Sequence, residues 1–298
     1  MGIPLFSPDY GRVGRGLTTG FLGWLFWLGG SCQLTAMQAE PDPSANRSVS
    51  LSARERREVL KDLPSIQTFR KKPSTRFLVD LKTVRRGHPY LGTRASRPHT
   101  GGHVYFHLPA QGRQSAAGNF FSGDQDVRDY PSIYAVADGV ITRVDYSFEL
   151  KTMFEPALGK KVANRRYGMA LTFAREKTTG ISFHYSIEPF IRPAEPRFYE
   201  PFILVKPGQK VKQGDLIARM YLPPNESLAR KSHIHFNLLR DGGGGFLSPS
   251  IFSKEVVRAF YDRWNLLPSH PDSPIPPCMG YLLGADENPF QRVSVDRL

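Results

Sequence analysis

Two histidines one residue apart, His233 and His235, sit in the apolar run Ser232-His233-Ile234-His235-Phe236. Side chains of a β-strand alternate between its faces, so residues i and i+2 project together and both imidazoles share one side. Paired imidazoles are the start of a transition-metal site, because neutral ring nitrogens are good ligands for zinc and related cations. A bare pair is not specific: two histidines on a solvated strand face have the same pattern. The remaining histidines are His88, His99, His103, His107, His184 and His270. His99 and His103 flank Thr100-Gly101-Gly102, and His184 lies in Phe183-His184-Tyr185-Ser186. His88 precedes Pro89 in a turn and reads as structural, and His107 reads as an ordinary half-buried strand histidine. His270 has no partner in its Pro-rich surroundings.

These residues need strands to position them, and strand signals dominate from Phe77 onward. Ser132 to Val144 reads as two strands around an Asp138-Gly139 turn. Tyr167 to Phe173 and Ile181 to Tyr185 follow, separated by a Thr-Gly turn, and then Phe202 to Val205, Leu216 to Tyr221 and Ile234 to Leu239. Gly242 to Gly245 reads as a flexible loop. Lys254 to Trp264 places Val256, Val257, Phe260, Tyr261 and Trp264 at helical spacing. The expected fold is mainly β, an antiparallel β-sheet core with long loops and a C-terminal helix. With 27 glycines and 25 prolines, the composition also favours a turn-rich β protein over a helical bundle.

The chain divides into four parts. Residues 1–39 carry Arg12 and Arg15 and then an uncharged run, Leu17 to Ala39, with the apolar centre Phe21 to Leu28. This reads as a secretory signal cleaved near Ala36 or Ala39, or as an uncleaved anchor long enough to tether the protein to a membrane. Lipid attachment at Cys32 is a third option. Residues 40–76 read as a linker in which Ser52 to Leu63 is either a short charged helix or, preferably, a solvated spacer. Residues 77–253 form the β domain, and 254–298 the C-terminal helix and a Pro-rich tail. The expected location is the periplasm or cell envelope.

The formal net charge is +13, nearly all of it beyond residue 39. Such a surface suits a polyanion, whether nucleic acid, anionic lipid or a carboxylate-rich wall polymer. No recognition-helix pattern or Arg/Gly tract points to nucleic acid. Two cysteines, Cys32 and Cys278, make no disulfide framework and exclude a Cys-rich zinc module.

Over roughly residues 85–252 an ordered series of short motifs resembles the lysostaphin-type zinc metallopeptidases, which cut peptide cross-links in bacterial cell walls. His88-Pro89 and His99-Thr-Gly101-Gly-His103 are similar to that family's His-Pro and His-x-Gly-x-Asp stretches. Ile133-Tyr-Ala-Val-Ala-Asp-Gly-Val140, Tyr167-Gly168 and His184-Tyr-Ser186 follow in the family's order. Val205 to Ile217 looks like its Val-x-x-Gly-x-x-Val-x-x-Gly hairpin, and His233-Ile-His235-Phe matches His-Leu-His-Phe. Pro249 stands where a proline follows the last strand.

The resemblance implies zinc (Zn2+) as cofactor, with His99 and His235 as ligands and His184 and His233 as catalytic, non-ligand histidines. The family's middle ligand is an Asp, and His103 occupies that position. Imidazole is an adequate zinc ligand, and catalytic sites with three histidines and an open fourth position exist. A carboxylate could also come from Asp124, Asp126 or Asp129, in an insertion of about twenty residues relative to the family pattern. The implied function is an exported zinc endopeptidase hydrolysing peptidoglycan cross-links. Zinc would polarise the scissile carbonyl, His233 would act as general base, and His184 would hydrogen-bond the oxyanion. The alternatives are a metal-free scaffold that binds the wall or regulates other wall hydrolases, and a basic polyanion-binding module with incidental histidines.

Overall fold

In a computed structural model the described residues are 46–90, 101–108, 126–156, 159–189, 197–241, 246–247, 249 and 251–263. His99, Asp124, His270, both cysteines and the uncharged run 17–39 lie outside them. Among the described residues no helix is long and apolar enough to cross a membrane.

The chain is mainly antiparallel β, as expected. Its strands are β1 (Arg47–Ser50), β2 (Val84–Tyr90), β3 (Gly101–Phe106), β4 (Ser132–Tyr134), β5 (Gly139–Glu155) and β6 (Lys160–Glu176). They continue with β7 (Thr179–Glu188), β8 (Lys210–Val211), β9 (Leu216–Arg219), β10 (His233–Arg240) and β11 (Phe246–Leu247). The helices are α1 (Ala53–Asp62), α2 (Ile66–Arg70), α3 (Glu226–Lys231) and α4 (Lys254–Tyr261). The main sheet runs β1-β5-β6-β7-β10-β3-β2, with β8 on β5 and β11 on β10, and β4 pairs with β9 in a second, small sheet.

Alternation sorts the two faces of the main sheet. Val104, Ile234, Phe236, Leu238, Phe183, Tyr185, Ile187, Met169 and Leu171 share one face and are fully or almost fully buried. That face packs against Phe77, Phe252 and Phe260; the Phe77 ring lies 5.5 Å from Phe236, 5.4 Å from Phe252 and 5.2 Å from Phe260. Burial at about 25 cal/mol per Å² of apolar surface locks the register, because a one-residue slip would turn every one of these side chains outward. The polar alternates are thereby committed to the opposite face.

Three expectations change. Ser132 to Val144 is not a hairpin, since β4 pairs with β9 while β5 pairs with β1, β6 and β8. Asp138 explains why: its carboxylate accepts from the Gln213 amide at 2.8 Å and the Lys212 ammonium at 2.9 Å, so this corner is pinned to a distant turn. The turn between β6 and β7 falls at Lys177-Thr178 rather than at Thr-Gly, with Lys177 at φ 54°. The segment 205–217 likewise makes no hairpin with itself: its two turns place Gly208 and Gly214 at φ 88° and 92°, where a side chain would be strained.

Residues 47–76, read as a linker, are built onto the domain. Strand β1 extends the sheet at β5. Helix α1 forms where a solvated spacer was preferred, because Ser52 and Glu55 make a reciprocal capping box. In α2 Ile66 is buried, and Phe69 sits 4.7 Å from Phe173.

Candidate metal centre

Strand β10 carries the site. His233, His235 and Asn237 alternate along it, and the register sets His235 opposite His103 of β3 and Ser186 of β7. The same pairing sets His233 opposite Tyr105 and Glu188, and Asn237 opposite His184. Cross-strand partners project to the same face. The polar face of the sheet therefore gathers His103, His184, His233 and His235, four of the five site histidines expected from the sequence. The fifth, His99, lies outside the described residues, two positions before Gly101 in the chain.

The rings of His103 and His235 have centroids 5.2 Å apart and nearly perpendicular planes, and His103 is 4.6 Å from His233. Two imidazoles bound tetrahedrally to one zinc, each nitrogen about 2.0 Å from the ion, bring their centroids to about 5 Å. The His103–His235 separation fits that requirement. The Asn237 side-chain amide lies 3.3 Å from His235 Nε2 and orients the ring; with the amide oxygen turned to accept from Nε2–H, Nδ1 would be the ligand atom for a metal. Burial, reinforced by His184, His233 and Arg166, holds the His235 pKa well below its ordinary value, so the ring is neutral, as a ligand must be. Among the described residues no three His, Cys, Asp or Glu side chains form a metal-holding group; His99 is not among them.

The other two histidines are oriented by different partners. His233 Nδ1 lies 2.8 Å from the Lys231 carbonyl, which only accepts, so Nδ1 carries the proton. Nε2 then bears the lone pair, 3.6 Å from a Glu188 carboxylate oxygen that would stabilise the ring if it took up a proton. Tyr105 stacks on His233 at 5.0 Å, and burial pushes the Tyr105 phenol up to about 12. Arg86 in turn lies over the Tyr105 ring, 4.4 Å from its centroid. His184, only 3% exposed, has its Nε2 3.0 Å from an Arg143 terminal nitrogen, and burial lowers its pKa. Its Nδ1 is buried with no hydrogen-bond partner among the described residues.

Sequence reasoning missed Arg143, Asp145, Glu188 and Asn237. For Asn237 and Glu188 the signal was present in the i, i+2 spacing, as in His235-x-Asn237 and His184-x-Ser186-x-Glu188, whereas a register shift between Ile141 and Arg143 hid Arg143 and Asp145. Other candidates fall away from the face. His107 is exposed just after β3, not half-buried. Asp126 is occupied by the backbone and guanidinium of Arg128, beside Arg219 of the small sheet, and Asp129 is exposed. His88 is the exception: read as a turn residue, it lies in β2 as the register partner of His103.

No family model matches the chain, and neither a curated protein nor a solved structure matches it.

Proposed function

We propose that the protein is an exported zinc endopeptidase acting on peptide cross-links of peptidoglycan, a member of the lysostaphin type in which His103 replaces the usual Asp ligand. The observation that carries this reading is the pairing of His103 with His235 across β3 and β10 at a centroid distance of 5.2 Å. His99, His103 and His235 would hold the metal. When bound, zinc supplies Lewis-acid polarisation of the scissile carbonyl and acidifies the attacking water. The chain's own groups do the rest. The His233 Nε2 lone pair accepts a proton, with Glu188 stabilising the charge that results. His184 donates from Nδ1 to the oxygen that becomes negative as the carbonyl is attacked. The basic surface concentrates the protein on an anionic wall.

The test is metal content together with release of new amino termini from purified sacculi. Stoichiometric zinc and released termini are expected, both lost in His235→Ala. The His103→Ala variant is expected to lose zinc, and unchanged zinc there would place the middle ligand elsewhere. Absence of zinc from the full chain would overturn the enzyme reading in favour of a wall-binding or regulatory scaffold.

A further inference from the structure

The sequence series contains nothing that explains how His184 is set for its role, but β5 does. Arg143 and Asp145 alternate on β5 and face the same side of the sheet as His184, two strands away. Between them on β6 the partner of both Arg143 and His184 is Ala170, whose single methyl leaves room for the guanidinium to pass over. One terminal nitrogen of Arg143 then lies 3.0 Å from His184 Nε2 and 3.3 Å from Asp145 Oδ2. It donates to the imidazole, while its contact with Asp145 Oδ2 is an ion pair. Asp145 is itself fixed: its other oxygen accepts from the Ser48 hydroxyl of β1 at 2.6 Å. Asp145 stands 3.9 Å from His184 Nε2, beyond direct hydrogen-bond reach, so it acts on the imidazole through the arginine.

We propose that Arg143, held by Asp145, is a positioning residue that fixes His184 as the neutral tautomer protonated at Nδ1. The reason is donor arithmetic. A guanidinium only donates, so an imidazole nitrogen at 3.0 Å from it must offer a lone pair. In the neutral ring the proton then resides on the other nitrogen, Nδ1, which is buried and has no hydrogen-bond partner among the described residues. An unsatisfied buried donor on the histidine face is a group kept for an acceptor that arrives with the substrate. The opposite arrangement, a carboxylate bonded directly to Nε2–H, would leave Nδ1 as an acceptor and repel a developing oxyanion. This step deepens the function proposed above, but the tautomer itself exists whether or not the protein is a peptidase.

Nitrogen-15 spectra of the histidine-labelled full chain at neutral pH read it directly, with His184 assigned by its loss in His184→Gln. The wild-type chain is expected to show protonated Nδ1 and unprotonated Nε2. Arg143→Met is expected to move the proton toward Nε2 and Asp145, whereas Arg143→Lys, which still donates only, retains the wild-type pattern. If the chain cuts sacculi, Arg143→Met lowers kcat by roughly 100-fold with KM little changed. A wild-type His184 protonated at Nε2 overturns the proposal, and so does a tautomer unchanged in a folded Arg143→Met variant. Either result would leave the zinc and sacculus measurements standing, so the two readings fail separately.

Discussion

At the scale of single residues, the polar face is a set of oriented groups. Asn237 turns His235, the Lys231 carbonyl turns His233, and Arg143 turns His184. Three imidazoles of the same type are thus oriented differently by partners that the histidine spacing does not reveal. Asp145 has a thermodynamic consequence that can be measured. Burial opposes its ionisation, but the contact with His184, the hydrogen bond from Ser48 and the charge of Arg143 outweigh burial and hold its pKa down at about 2. A folded-state value below the unfolded value contributes stability above the unfolded pKa, and that stability is lost as pH falls through the folded one. The difference is worth about 2 kcal/mol. Urea midpoints are therefore expected to fall between about pH 4 and pH 2, with this portion of the slope missing in Asp145→Asn. An identical slope in both chains would show that Asp145 is not held low.

At the scale of elements, the strands align the site because their other face has no freedom. Gly168 shows how tightly β6 and β7 meet: a Cβ there would lie 1.9 Å from the Tyr185 carbonyl oxygen, which is backbone and cannot turn away. Gly168→Ala is expected to lower stability by about 2–4 kcal/mol and to speed amide exchange in β6 and β7 before β2 and β3. Uniform exchange across the sheet would contradict it. The strands around His184 and His235 were legible from alternation. The hairpins were not, because Asp138-Gly139 is a good local turn whose side chain is claimed by Gln213 and Lys212, some seventy-five positions away. Helix α1 was legible too, since Ser52 and Glu55 spell a capping box, but the charged residues that follow outweighed it.

At the scale of the whole molecule, the N-terminal portion completes the sheet. Strand β1 covers the β5 edge and supplies Ser48 to Asp145, and α2 brings Phe69 onto Phe173. A chain beginning at Phe77 is expected to melt well below one beginning at Asn46, since it uncovers the β5 edge and part of the core. Equal melting temperatures would return 46–76 to the role of a linker. The net charge of +13 makes a second expectation. Binding to anionic sacculi should weaken sharply between low and about 0.5 M salt, where screening shortens the reach of the charges to a few ångströms. Salt-independent pelleting would remove electrostatics from the account.

The sequence by itself determined which residues share a side within each strand. His233 with His235, and His184 with Ser186 and Glu188, follow from the two-residue period of an extended chain, a covalent property that needs no partner. It also determined the mainly β character, through apolar alternates and turn-forming residues. Only the tertiary structure decided which strands lie together. His103 faces His235, and Arg143 reaches His184 over Ala170, because β3, β10, β7, β6 and β5 bury a common apolar face in one register. That register is chosen by burial summed over the whole sheet, and no local stretch of sequence contains the sum.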